Sequence, residues 1–162
     1  MPMTSYLTLE GTSQGPIEGD CDQSGREKKI LVYALDHRIE IPRDTHTGLA
    51  TGQRIHHPLT ISKRLDPASP LIGRACATGE RMSKFDLDFY QIDKEGKEVL
   101  YYKISLSDAI VVEVKNYFPL TFLDSSKSYP HMEQVSFTYS KIIWSHETES
   151  KQAEDDWKAP AS

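Results

Sequence analysis

The chain is short of cysteine, of long apolar runs and of positive charge, and each shortage removes a class of protein. Its two cysteines are Cys21 and Cys76. Two cannot make a disulfide framework, and a structural zinc site needs four ligands, usually with closely spaced cysteine pairs. The expectation is a loop thiol at Cys21 and a small apolar residue at Cys76. No stretch approaches the ~18 apolar residues of a membrane-spanning helix. The opening MPMTSYLTLEG has neither a basic start nor an apolar segment, so no cleaved secretory signal is expected. Lysine and arginine number 19 against 24 aspartates and glutamates, a formal charge of −5. An acidic chain gains little from nucleic-acid phosphates or an anionic bilayer, so neither is an expected partner.

Several catalytic motifs are missing as well. There is no glycine-rich phosphate loop and no G-x-S-x-G elbow. The histidines are His37, His46, His56, His57, His131 and His146, with no H-E-x-x-H among them. A strand would point the adjacent His56 and His57 to opposite faces, which keeps them from sharing one metal. His37 and His57 lie in phase with apolar residues and could meet across strands. Asp86 and Asp88 share a strand face about 7 Å apart, a separation compatible with a glycosidase pair. These four residues define one alternative, a monomeric β-barrel hydrolase or ligand-binding module. No cofactor or metal is implied.

What the sequence does have is a period of two. In ILVYALDHRIEI (30–41), Leu31, Tyr33, Leu35, Ile39 and Ile41 share one face. In RIHHPLTISK (54–63), Ile55, Leu59 and Ile61 lie opposite Arg54, His56, Thr60 and Ser62. Further strands are expected from residue 82 through FDLDFYQI, in EVLYYKISL, in AIVVEVKNYF with Ile110, Val112 and Val114 in phase, and in EQVSFTYSKIIW at 133–144. One helix is expected over 69–78, with Ser69 as N-cap, Pro70 at the first position and Gly79 after the end. The polar connection 42–53 is longer than a hairpin requires, and such loops are often functional. Ser136, Thr138 and Ser140, with Thr60 and Ser62, make a hydroxyl-rich face. It reads as an ordinary solvated sheet or as a lining that cargoes touch without sticking. From about 147 the chain is charged and is expected to be a flexible tail, with Trp157 as its one docking residue. The sum is mainly β: a small β-barrel with one short helix on its flank.

YLTLEG, QGPIEG and the long run ALDHRIEIPRDTHTGLATGQRIHHPLTISKRLDPASPLI, followed by LSDAIVV, EQVSFTYSKIIWSHE and DDW, resemble one family. It is the haemolysin-coregulated protein (Hcp) family of type VI secretion systems. The resemblance covers about residues 4–157. It implies a β-barrel domain over 1–146, built of two sheets flanked by the helix, and a tail over 147–162. It implies a non-enzymatic subunit that closes with itself into homohexameric rings, which stack into the inner tube of a contractile injection machine. A tip spike protein, a contractile sheath and secreted effectors carried in the channel are the implied partners. Assembly would be cytoplasmic, followed by secretion without a cleaved signal. In that setting Arg43, Asp44, His46, Thr47, Gly48 and Arg54 would serve ring or stacking contacts. Ser136, Thr138 and Ser140 would line the channel.

Overall fold

Alternating side chains make strands, and long strands that bend make a barrel. The computed structural model describes residues 4–157. The elements run β1 (Ser5–Gly11), β2 (Gly15–Ile17), β3 (Ile30–Val32), β4 (Ala34–Asp36), β5 (Ile39–Glu40), β6 (Ile55–His56), β7 (Leu59–Arg64) and α1 (Ser69–Thr78). Then come β8 (Arg81–Ile92), β9 (Glu98–Ser107), β10 (Ala109–Tyr117), a 3-10 turn at Asp124–Ser126, β11 (Met132–Thr138), β12 (Lys141–His146) and β13 (Lys151–Asp156).

Two long runs turn a corner together. Asp108, at φ 54°, separates β9 from β10. Tyr139 and Ser140 separate β11 from β12. The Ser140 N–H donates to Ser107 O at 3.0 Å, and its hydroxyl lies 3.0 Å from Asp108 Oδ2. Each run therefore passes from one wall of the barrel to the other. Eleven strands form one curled sheet, in the order β13-β12-β9-β8-β10-β11-β7-β4, with β1 on β8 and both β2 and β3 on β1. Residues 30–36 close it. Their first half pairs with β1, their second half with β7, and Tyr33 N–H between them donates to Ser62 O at 2.8 Å. The expected barrel with one flanking helix is thus present, its two walls joined by the bent strands.

The core is the inward face of these strands. Leu7, Leu9, Ile30, Leu59, Ile61, Phe85, Leu87, Val135, Phe137 and Ile142 are all buried. Phe85 and Phe137 meet edge to face at 4.9 Å, a geometry worth about 0.5–1.5 kcal/mol beyond burial. α1 adds Ile72 and Ala75 to the core and stops at Gly79, whose φ of 70° suits a residue without Cβ.

Four expectations shift. The face of 30–41 expected inside is outside: Ile30 and Val32 are buried, while Tyr33, Leu35, Ile39 and Ile41 are exposed. Asp36, Arg38 and Glu40 mark the other face as polar, but its first residues, Ile30, Val32 and Ala34, are apolar, so over 30–35 alternation alone does not say which face turns inward. The phase of 54–63 breaks at Pro58, so that Ile55 is exposed and His56 buried, whereas Leu59 and Ile61 are buried as expected. In β10 the pairing skips Val112, since Val111 faces Phe137 and Glu113 faces Ser136. That bulge exposes Val112 and returns Val114 to the core side. The helix cap moves to Ala68, without a side-chain cap bond. Asp66 Oδ1 accepts the Ala68 N–H at 3.0 Å instead, because the Ser69 hydroxyl is occupied elsewhere.

The charged segment expected to be flexible contributes a strand. β13 pairs with β12 over Lys141–Asp156 through His146–Lys151. Its backbone ladder, not apolar burial, orders it. Residues 158–162 of the expected tail lie outside the described residues. Cys21, expected as a loop thiol, is buried, and Cys76 is half-buried.

Candidate functional site

The long connection is an arm. β5 and β6 pair at its base, Arg43 and Ala50 bridge farther out, and Thr51 N–H donates to Pro42 O at 2.6 Å. Asp44 forms the tip. Its Oδ1 accepts the N–H groups of His46 at 2.7 Å and Thr47 at 3.1 Å, which holds its carboxyl below the usual range. Gly48 closes the turn at φ 74°. The arm is exposed throughout 43–53 apart from half-buried positions, and Leu49 is 68% exposed at its end. Arg43, Asp44, His46, Thr47 and Gly48 are brought together there. Arg54 is not with them.

Arg54 anchors the arm's base to the far end of the chain. Its Nε donates to Asp155 Oδ2 at 2.6 Å, and its Nη2 to Asp156 O at 3.0 Å. The same Asp155 oxygen lies 2.7 Å from His56 Nε2. His56 Nδ1 lies 2.6 Å from the Tyr139 hydroxyl, which lies 2.8 Å from His37 Nε2. One set of donors satisfies every atom: His37 Nε2–H to Tyr139, Tyr139 O–H to His56, His56 Nε2–H to Asp155. Trp157 stacks on His56 with ring centres 5.5 Å apart, and its Nε1 donates to the Tyr139 carbonyl. Burial pushes the Tyr139 hydroxyl far up, aided by the nearby Asp155 charge. Burial, with His56 beside it, pushes His37 down. The Arg54 guanidinium holds Asp155 low.

A second cluster is fully internal. Lys63 and Glu133 face each other across β7 and β11. The Lys63 ammonium contacts Glu133 Oε1, Asp66 Oδ1 at 2.9 Å, Ser69 Oγ at 3.0 Å and Arg64 O at 3.0 Å. Ser69 Oγ donates to Glu133 at 2.8 Å. Lys63 is in phase with the buried Leu59 and Ile61, and the partner that makes a buried lysine tenable, Glu133, lies across the sheet and out of reach of the local pattern.

The residues of the hydrolase alternative fall apart. His37 meets Tyr139, whereas His57 turns to Glu40 Oε1 at 2.9 Å. Both histidines border one surface hollow of about 310 Å³, whose lining includes Asp36, Arg38, Pro58 and Thr60 but neither Asp86 nor Asp88. Asp86 accepts the Ser105 hydroxyl at 2.7 Å, and Asp88 is buried against Lys29 at 2.8 Å. Among the described residues, no group of three or more His, Cys, Asp or Glu is placed to hold a metal ion, and no helix is long and apolar enough to cross a membrane. Of the hydroxyl row, Ser136 bonds Thr60 across the sheet at 2.9 Å and Ser140 sits in the corner.

The outer surface carries two apolar strips. One runs through Tyr33, Leu35, Ile39, Ile41 and Ile55 beside the arm's base. The other is the segment after β10, where Phe118, Leu120, Phe122 and Tyr129 are exposed. The molecule is therefore a barrel-like β-scaffold: its polar clusters hold the fold and its arm, and its flanks are left apolar and open. The chain belongs to the Hcp family, whose model, described as "Type VI secretion system effector, Hcp", matches residues 6–146. It is 36% identical to the "Major exported protein" of Pseudomonas aeruginosa, over all of this chain and 99% of that one. A solved Hcp protein superposes with a TM-score of 0.89 at 25% identity, covering 97% and 99% of the two chains. The Hcp1 protein of the E. coli EAEC 042 pathovar gives 0.83 at 33% identity, again over 97% and 99%. The family reading made from the motifs is thereby established.

Proposed function

We propose that this chain is the subunit of a type VI secretion inner tube, that six copies close into a ring, and that stacked rings are exported. The apolar strip along 33–41 carries the reading. Exposed apolar rows of this kind mark protein–protein surfaces. A head-to-tail contact between two different flanks closes a ring when its rotation allows. The strip on 33–41 supplies one flank, and the arm projects beside it. In stacked rings, Arg43, Asp44, His46, Thr47 and Gly48 at the arm tip meet the adjacent ring, while Arg54 holds the arm's base. Ser136, Thr138 and Ser140 border the channel as an uncharged face, with the Ser136 and Ser140 hydroxyls already bonded within the barrel. A spike at the tip and a contractile sheath are the further partners, with assembly in the cytoplasm before export. Light scattering on purified protein is expected to give about six times the 18.4 kDa chain mass. A single-copy mass at every concentration overturns the reading.

A further inference from the structure

We infer that the C-terminal strand with Trp157 is a latch that fixes the arm's orientation on the barrel. The arm's own hydrogen bonds, Arg43 to Ala50 and Thr51 to Pro42, shape it internally but leave its angle to the barrel undetermined. The side-chain contacts that set this angle lie at the base, and they reach residues about a hundred positions away. Arg54, just before β6, and His56, within it, are two residues apart and so point to the same side, where they converge on one carboxylate oxygen of Asp155. Trp157 then covers the outer face of His56 and ties itself to Tyr139 O. Tyr139 stands buried at the corner between β11 and β12. The arm's base is thus clasped between the barrel corner and the chain's last strand.

The clasp itself is an edge element. Among the described residues β13 pairs only with β12, and its residues Lys151–Glu154 are exposed. Leu59, Ile61, Phe85 and Phe137 lie on β7, β8 and β11, none of which pairs with β13, and the clasp touches the core only at its rim, where Trp157 packs beside Tyr139. A segment with few apolar contacts opens at a lower free-energy cost than the core it rests on. The arm's order is therefore separable from the barrel's stability. The inference does not depend on ring formation. If the arm also makes stacking contacts, its readiness to do so is set by residues 155–157.

The test is a distance measurement within one chain. Spin labels at Thr47→Cys on the arm tip and Glu95→Cys on the β8–β9 turn, with Cys21→Ala and Cys76→Ala, are diluted into unlabelled protein so that only intrachain pairs are read. The parent is expected to give one narrow distance distribution. Asp155→Asn, Trp157→Ala and Arg54→Gln should each broaden it. In parallel, the His57 amide, which donates to Arg38 O at 3.0 Å, should exchange with solvent about tenfold faster while barrel amides stay protected. A distribution that stays narrow in all three variants overturns the latch. So does broadening that occurs only where barrel protection is lost as well, since residues 151–157 would then be part of the core fold.

Discussion

His37 has a half-buried ring whose proton count is constrained by its neighbours, and that makes acid a probe of the fold. Its folded-state pKa lies below the ordinary 6.5 because of burial and His56. The unfolded chain therefore binds more protons just below that value, and stability falls as pH falls. The contribution is complete above about pH 6.5 and is lost as the pH drops through the depressed value. Melting temperatures between pH 7.5 and 5 are expected to decline, and the decline should flatten in His37→Gln, whose amide can still donate to Tyr139. Asp155 acts in a separate window: its lowered pKa gives stability above the carboxylate range that disappears in stronger acid. Lys63 is the other decisive residue. In Lys63→Met, Glu133 and Asp66 are left buried without their cation, and urea titration should show a loss of about 3–5 kcal/mol.

At the scale of elements, the arm is the part whose existence was legible in the sequence and whose attachment was not. Its length, its Gly48 and Gly52, and its polar composition marked 42–53 as more than a turn. Arg54 adjoins the arm in sequence, which grouped it with the tip. The Asp155 that claims it arrives a hundred residues later, out of reach of any local pattern. The same holds for Lys63 and Glu133. Alternation located most strands, but it could not choose the inner face of 30–35, where both faces are apolar, nor foresee the bulge at Val112, which depends on the register with β11. Charge argues against burial but not against backbone pairing at a sheet edge, where charged residues are common, so composition does not reveal the strand over Lys151–Asp156. Replacing 43–51 by a short Gly-Ser turn is expected to leave the barrel's melting temperature nearly unchanged. If the proposed role of the tip holds, ring formation survives and stacking is lost, as negative-stain images of the particles would show.

For the whole molecule, the exposed strip is the feature that most distinguishes this surface from that of a self-sufficient monomer. Leu35→Asp combined with Ile39→Asp places charge where the proposed neighbour would bury it. Sedimentation should then show single copies. Circular dichroism should remain that of the folded barrel, because neither side chain belongs to the core. A folded double variant that still sediments as the full ring would move the contact elsewhere, most directly to the segment around Phe118–Phe122. The family was readable from the motif residues. In the structure, Arg54, His56, Lys63, Asp66, Ser69, Asp155 and Trp157 of those motifs are members of the two polar clusters.

The seam at residues 30–36 also dictates the order in which the chain organises itself. It pairs with β1 near the start of the chain and with β7 some thirty residues later, so it can be completed only after both walls stand. The β8–β9 hairpin, by contrast, is joined by a short turn in which Asp93 accepts the N–H groups of Glu95 and Lys97 at 2.9 Å, and local closure is fast. The rate-limiting ensemble should accordingly contain the hairpin and lack the seam. In stopped-flow measurements, Leu87→Ala is expected to slow refolding, while Val32→Ala mainly accelerates unfolding. The last contact to form is then also the first to part when the molecule is strained.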